Sequence, residues 1–213
     1  VQNTLRQIGK LYHPILADDA QRVLAEAAKS VAVSREAYVQ GRSPDWGYAI
    51  THNQSLRFKP SSVMKGIQPE VDVYCDIRWQ DEDLPVRQDV KIRIWSRNTD
   101  IGYRAHLDAE TILEQVTNSE RLRMYAGRVI SRFHFDRVRH DQGRSSEYHP
   151  DFHIQVGGKP EDYELCWHPK SFDIPRIGFH PMELFLTCQL VAINFFRDDY
   201  QRISKGPEWE LYL

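Results

Sequence analysis

"VDVYCDIRW", residues 71–79, sets Val71, Val73, Cys75, Ile77 and Trp79 against Asp72, Tyr74, Asp76 and Arg78. A pleated strand sends successive side chains to opposite sides, so this alternation specifies a strand with one apolar and one polar face. An acidic turn, "QDEDLP" (80–85), leads into "VRQDVKIRIWS" (86–96), where Val90, Ile92 and Ile94 oppose Asp89, Lys91 and Arg93. Two such runs joined by a short polar loop predict an antiparallel hairpin.

The same period returns downstream. "AGRVISRFHFDRV" (126–138) places Phe133 and Phe135 opposite Arg132, His134 and Asp136, and "HPDFHIQVGG" (149–158) places Phe152, Ile154 and Val156 opposite Asp151, His153 and Gln155. Paired as a second hairpin, these strands must match faces, since a slip of one residue sets Phe against Asp. The register expected here puts His134 opposite His153 and Asp136 opposite Asp151.

Helical spacing flanks the strands. "ADDAQRVLAEAAKSVAVSREAYVQG" (17–41) carries Val23, Leu24, Ala27, Ala28, Val31 and Tyr38 at helical spacing, with Asp18 or Asp19 to cap it and Gly41 to end it. A shorter helix is expected before it, breaking near Pro14, and another over "LDAETILEQVTNSE" (107–120). Residues 42–69 read as a long connection holding one strand near "SLRFK" (55–59). "HPMELFLTCQLVAINFFRDDY" (180–200) is apolar almost all round, which predicts a helix buried on several sides, between the sheet and the N-terminal helix. The expected fold is α+β: a single domain over residues 1–213, with a largely antiparallel sheet and helices packed on one face.

An apolar share of 41% in 213 residues supports a packed core and argues against disorder. A net charge of −2 supplies no general basic field, so nucleic-acid contact would need a local patch. Cys75, Cys166 and Cys188 lack metal-ligand spacing and read as reduced core thiols of a cytoplasmic protein. The most apolar stretch, residues 182–196, is interrupted by Glu183, Gln189 and Asn194 and falls short of the ~20 residues that span a bilayer, so no membrane partner is expected.

The candidate chemistry lies on the polar side of the four strands, which admits three readings. One is a solvated sheet face with weakly paired charges. A second is a metal-dependent nuclease or phosphodiesterase. The order helix, acidic strands, "DVK" (89–91) and helix resembles the PD-(D/E)xK nuclease core. That resemblance implies Asp72 or Asp76 as one ligand of Mg²⁺ or Mn²⁺, Asp89 as the second, and Lys91 as the activating residue. A third is a histidine site, in which His134, His140, His149 and His153 combine with Asp136, Asp141 and Asp151 on Zn²⁺ or Mn²⁺, or act as a metal-free acid–base pair. Arg132, Arg137, Arg176 and Gln155 are candidate binding residues for protein or nucleic acid.

The C-terminal stretches "YHPDFHIQVGG" (148–158) and "FDIPRIGFHPMELFLTCQLVAINFF" (172–196) resemble small uncharacterised bacterial proteins encoded in multi-gene cassettes, including mobile and antiviral defence loci. The resemblance covers about a third of the chain and implies a context without assigning catalytic residues. The expected function is an accessory subunit that binds another protein, and nucleic acid with it, and that carries no cofactor. The alternative is the metal-dependent nuclease, with Asp89, Lys91, His134 and His153 catalytic and Asp72, Asp76, Asp136 and Asp151 holding the metal.

Overall fold

Both alternating runs are strands: β3 spans Pro69–Trp79 and β4 spans Arg87–Ser96. The computed structural model describes residues 1–61, 69–81, 84–96, 128–137, 152–156, 177–178, 182–207 and 209. β3 and β4 pair antiparallel with Val71 opposite Ile94, Val73 opposite Ile92 and Cys75 opposite Val90 on one face. Asp72 opposite Arg93, Tyr74 opposite Lys91 and Asp76 opposite Asp89 form the other. Around this pair lie β1 (Trp46–Ile50), β2 (Leu56–Arg57), β5 (Arg128–Arg137), β6 (Phe152–Val156) and β7 (Ile177–Gly178). They make one seven-stranded sheet in the order β1-β3-β4-β5-β6-β7, with β2 also on β3, and every pairing is antiparallel.

The described helices are α1 (Gln2–Leu11), α2 (Ala20–Val39), α3 (Leu184–Phe195) and α4 (Arg197–Ile203). Leu5, Ile8 and Tyr12 near α1, Val23, Leu24, Ala27 and Val31 of α2, and Leu184, Cys188 and Val191 of α3 share one buried cluster with Val71, Val73, Cys75, Ile77, Val90, Ile92 and Phe135. Full burial of each large aliphatic chain contributes about 1.5–3 kcal/mol, so this layer is the main stabilising term. The fold is α+β with helices over the apolar face of an antiparallel sheet, as the alternation predicts.

Helix ends follow local chemistry. Gly41 takes φ +69° just past α2; its N–H donates to the Tyr38 carbonyl (2.9 Å), and that of Arg42 donates to Ala37 (2.8 Å). This double closure favours glycine because a side chain is strained at positive φ. Asp19 does precede α2, yet its carboxylate accepts from Arg57 Nη2 at 2.7 Å and makes no cap bond.

Three expectations need correction, and a fourth lies outside the described residues. The stretch 42–69 holds β1 as well as β2, and "WGYAI" escapes a sequence reading because it is short and contains glycine. Gly47 is required by close approach, since a Cβ there would run into the Ile77 carbonyl oxygen. Ser34 of α2 accepts from the Gly47 N–H (3.0 Å) and lies 2.8 Å from its carbonyl, holding the strand to the helix. The C-terminal run is two helices, because the chain leaves helical geometry at Phe196, whose ring stacks on Phe58 at 6.0 Å. α3 does touch both α1 and β3. In the second hairpin His134 pairs with Gln155, and Asp136 with His153, two residues away from the expected register. Side-chain alternation fixes the parity of a pairing and is blind to a slip of two. The expected helix over 107–120 lies outside the described residues.

Candidate functional site

The polar side of the sheet is ordered in rows. Asp76, Asp89, Asp136 and His153 occupy successive register positions across β3, β4, β5 and β6. The next row runs Tyr74, Lys91, His134, Gln155, and the one beyond it Asp72, Arg93, Arg132. The expectation that Asp72 and Lys91 share a surface, and that His134 and His153 are neighbours on it, therefore holds at the level of register, with the two histidines diagonal instead of opposite.

The inner end of this surface is dry. Arg93 is completely buried, and the Asp72 side chain is 7% exposed. Arg93 Nε donates to Asp72 Oδ1 at 2.8 Å and Nη2 to Oδ2 at 2.5 Å, a two-pronged pair that suits planar guanidinium and carboxylate. Ser55 Oγ donates to Oδ2 at 2.9 Å. Arg93 also lies 4.6 Å from the Tyr74 ring centroid, and Lys91 Nζ lies 5.5 Å from the same ring. The Asp72 carboxylate is thus engaged at both oxygens, which weighs against a role as metal ligand.

The outer end is wetter. Asp76 accepts from Arg78 Nε at 2.7 Å and pairs with Arg87 Nη2 at 3.2 Å. Asp89 Oδ2 pairs with Lys91 Nζ at 3.1 Å, while its Oδ1 is shielded from solvent and has no hydrogen-bond partner among the described residues. Three aspartates in direct register repel one another, and the flanking arginines and lysine offset that cost. Among the described residues, no three His, Cys, Asp or Glu side chains converge closely enough to hold a metal ion.

Neither homology nor fold likeness adds to this geometry. No family model, no curated protein and no solved structure matches the chain. The remaining candidates divide by position. Arg137 has the parity of Gln88 and Phe152, the apolar face, and its Nη1 donates to the Pro85 carbonyl, so it is apart from the other candidates. Asp151, Arg176, His140 and His149 lie outside the described residues. Sequence reasoning missed Ser55 and His52, which sit in a polar connector; writing out the β3–β4 register would have exposed the Asp72–Arg93 pair, though not the connector that joins it.

Cys75 and Cys188 are free and buried. Burial pushes the Cys75 thiol up to about 12 and raises Cys188 likewise. Cys166 lies outside the described residues. Among those residues no helix is long and apolar enough to cross a membrane.

Proposed function

We propose that this chain is a binding subunit of a bacterial multi-component system of the antiviral-defence kind, recognising another protein, and nucleic acid with it, without performing the chemistry itself. The observation that carries this reading is the pairing on the polar face: Asp72 with Arg93, Asp76 with Arg78 and Arg87, and Asp89 with Lys91. A reaction centre keeps ligand oxygens or a base aimed at the substrate position. Here the strands present charges of which Asp72, Asp76 and one oxygen of Asp89 are already matched by cations, which suits recognition. α3 adds support, since this largely apolar helix leaves Ile193 43% exposed and Leu186 and Leu190 only partly covered. The C-terminal resemblance supports the cellular context.

The test is co-expression with the products of the adjacent genes. A stoichiometric complex is expected on size-exclusion chromatography, with the fold retained but the complex weakened in Asp89→Ala, Lys91→Ala and Ile193→Lys. Persistence of the free chain with every neighbour would overturn the reading.

The Asp76–Asp89–Asp136 row favours a second reading, a nuclease dependent on Mg²⁺ or Mn²⁺. Oxygen-rich carboxylates are the donors such ions take, and Lys91 beside them would stabilise developing negative charge. This reading requires release of Asp76 and Asp89 from their cations. It predicts metal-dependent cleavage of DNA or RNA, lost in Asp89→Ala, Lys91→Ala and His153→Ala.

A further inference from the structure

Between β1 and β2 the chain crosses one edge of the sheet through a single 3-10 turn, His52–Gln54, none of whose residues is buried. Its hold on β3 and β4 is polar. Ser55 Oγ donates to Asp72 Oδ2 at 2.9 Å, the His52 carbonyl accepts from Arg93 Nη2 at 3.4 Å, and the His52 ring meets the Tyr74 ring edge-on at 6.5 Å. On either side the contacts are of another kind: Ile50 and Leu56 are buried apolar residues of β1 and β2. A solvent-facing turn held by polar contacts between two well-packed ends belongs to the low-stability part of a structure.

We propose that residues 51–55 are a strap that opens on its own while the sheet stays folded, and that the buried Asp72–Arg93 pair is the catch that closes it. The pair suits the task because its own two bonds fix both partners before the strap arrives. Closure then adds a charge-assisted bond from Ser55 and one to the His52 carbonyl without having to organise either charge. Tyr74 couples the strap to the candidate site, because the ring that His52 touches also underlies Lys91.

The experiment is native-state hydrogen exchange combined with diethylpyrocarbonate modification of His52, in the wild-type chain and in Ser55→Ala. That substitution leaves Asp72 still held by both bonds from Arg93, so the fold is retained. The Gln54 amide, which donates to the Thr51 carbonyl at 3.1 Å, is expected to exchange by an opening with little denaturant dependence. In Ser55→Ala, Gln54 exchange and His52 modification are expected to rise roughly ten-fold or more, the scale of a lost hydrogen bond to a charged group, with Val73 and Cys75 amides unchanged. Equal acceleration at Val73 and Cys75 would show that the segment opens only with the whole sheet, and no change at Gln54 and His52 would show that the bond to Asp72 is no catch; either result would overturn the proposal.

Discussion

The two ends of the polar face use the same residue types to opposite physical effect. At one end Asp72 and Arg93 are sealed from water, with exposures of 7% and 0%. At the other, Asp76 and Arg87 pair across neighbouring strands with exposures of 23% and 64%. A sealed pair has paid desolvation for both ions and depends on intact geometry, whereas a wet pair gains little and loses little. Alternation in the sequence is identical at the two ends. The difference comes from the crossing segment 51–55 and from the fully buried position of Arg93, so the contrast separates what the strand pattern encodes from what the tertiary structure adds.

The largest effect is expected from breaking the sealed pair. Arg93→Met leaves the Asp72 carboxylate buried, with Ser55 Oγ still donating to it at 2.9 Å, and should lower unfolding stability by about 3–5 kcal/mol. Replacing both ions, Asp72→Leu with Arg93→Met, should restore most of that loss, since matched apolar side chains often equal a buried ion pair. Urea unfolding of the single and double variants checks both statements. A single variant as stable as the wild type would erase the distinction between the two ends.

The apolar face of the same strands makes the contrast by titration. Cys75 is held protonated up to about 12 against an ordinary 9.0, and burial raises Cys188 in the same direction. A raised folded-state value means that the unfolded chain loses its proton first. The thiols' contribution is therefore complete below pH 9 and declines as pH climbs toward 12. Each such thiol carries a slope of about 1.4 kcal/mol per pH unit, so raising pH from 9 to 10.5 should cost about 2 kcal/mol for Cys75 alone. Urea midpoints across this range should fall for the wild type and fall less steeply for Cys75→Ala.

How far the sequence discloses this architecture follows from what each signal measures. The period of two in β3 and β4 encodes faces, and the faces it predicts are the observed ones. It cannot encode a shift of two, which is why His134 lies opposite Gln155. Helical spacing in α2 names the buried Val23, Leu24, Ala27, Ala28 and Val31 because an amphipathic helix has a single dry side, but it also names Tyr38, which is only half-buried and donates to Asp81; α3 is apolar all round and gives no warning of the break at Phe196. β1 is held by features distant in the chain, the hydroxyl of Ser34 and the close approach of Gly47 to Ile77. Of the candidate site, the row of aspartates follows from parity plus register, while the burial of Arg93 depends on neighbours that no local pattern announces.

The smallest effect belongs to the wet end, and it sharpens the comparison most finely. Asp89 gains from Lys91 at 3.1 Å and loses from Asp76 and Asp136, which flank it in register. Partly solvated pairs such as this one, 32% exposed at Asp89 and 19% at Lys91, and like-charge neighbours each amount to a few tenths of a kcal/mol up to about 1, with opposite sign. Asp89→Asn should therefore shift unfolding stability by less than about 0.5 kcal/mol in either direction. Raising salt to roughly 1 M, where the screening length falls to about 3 Å, should shrink even that difference while leaving the Arg93→Met loss nearly untouched. Should Asp89→Asn instead cost as much as Arg93→Met, the outer end would be electrostatically as dry as the inner one. Should it abolish metal-dependent cleavage at unchanged stability, the aspartate row would be a reaction centre and the paired cations its resting state.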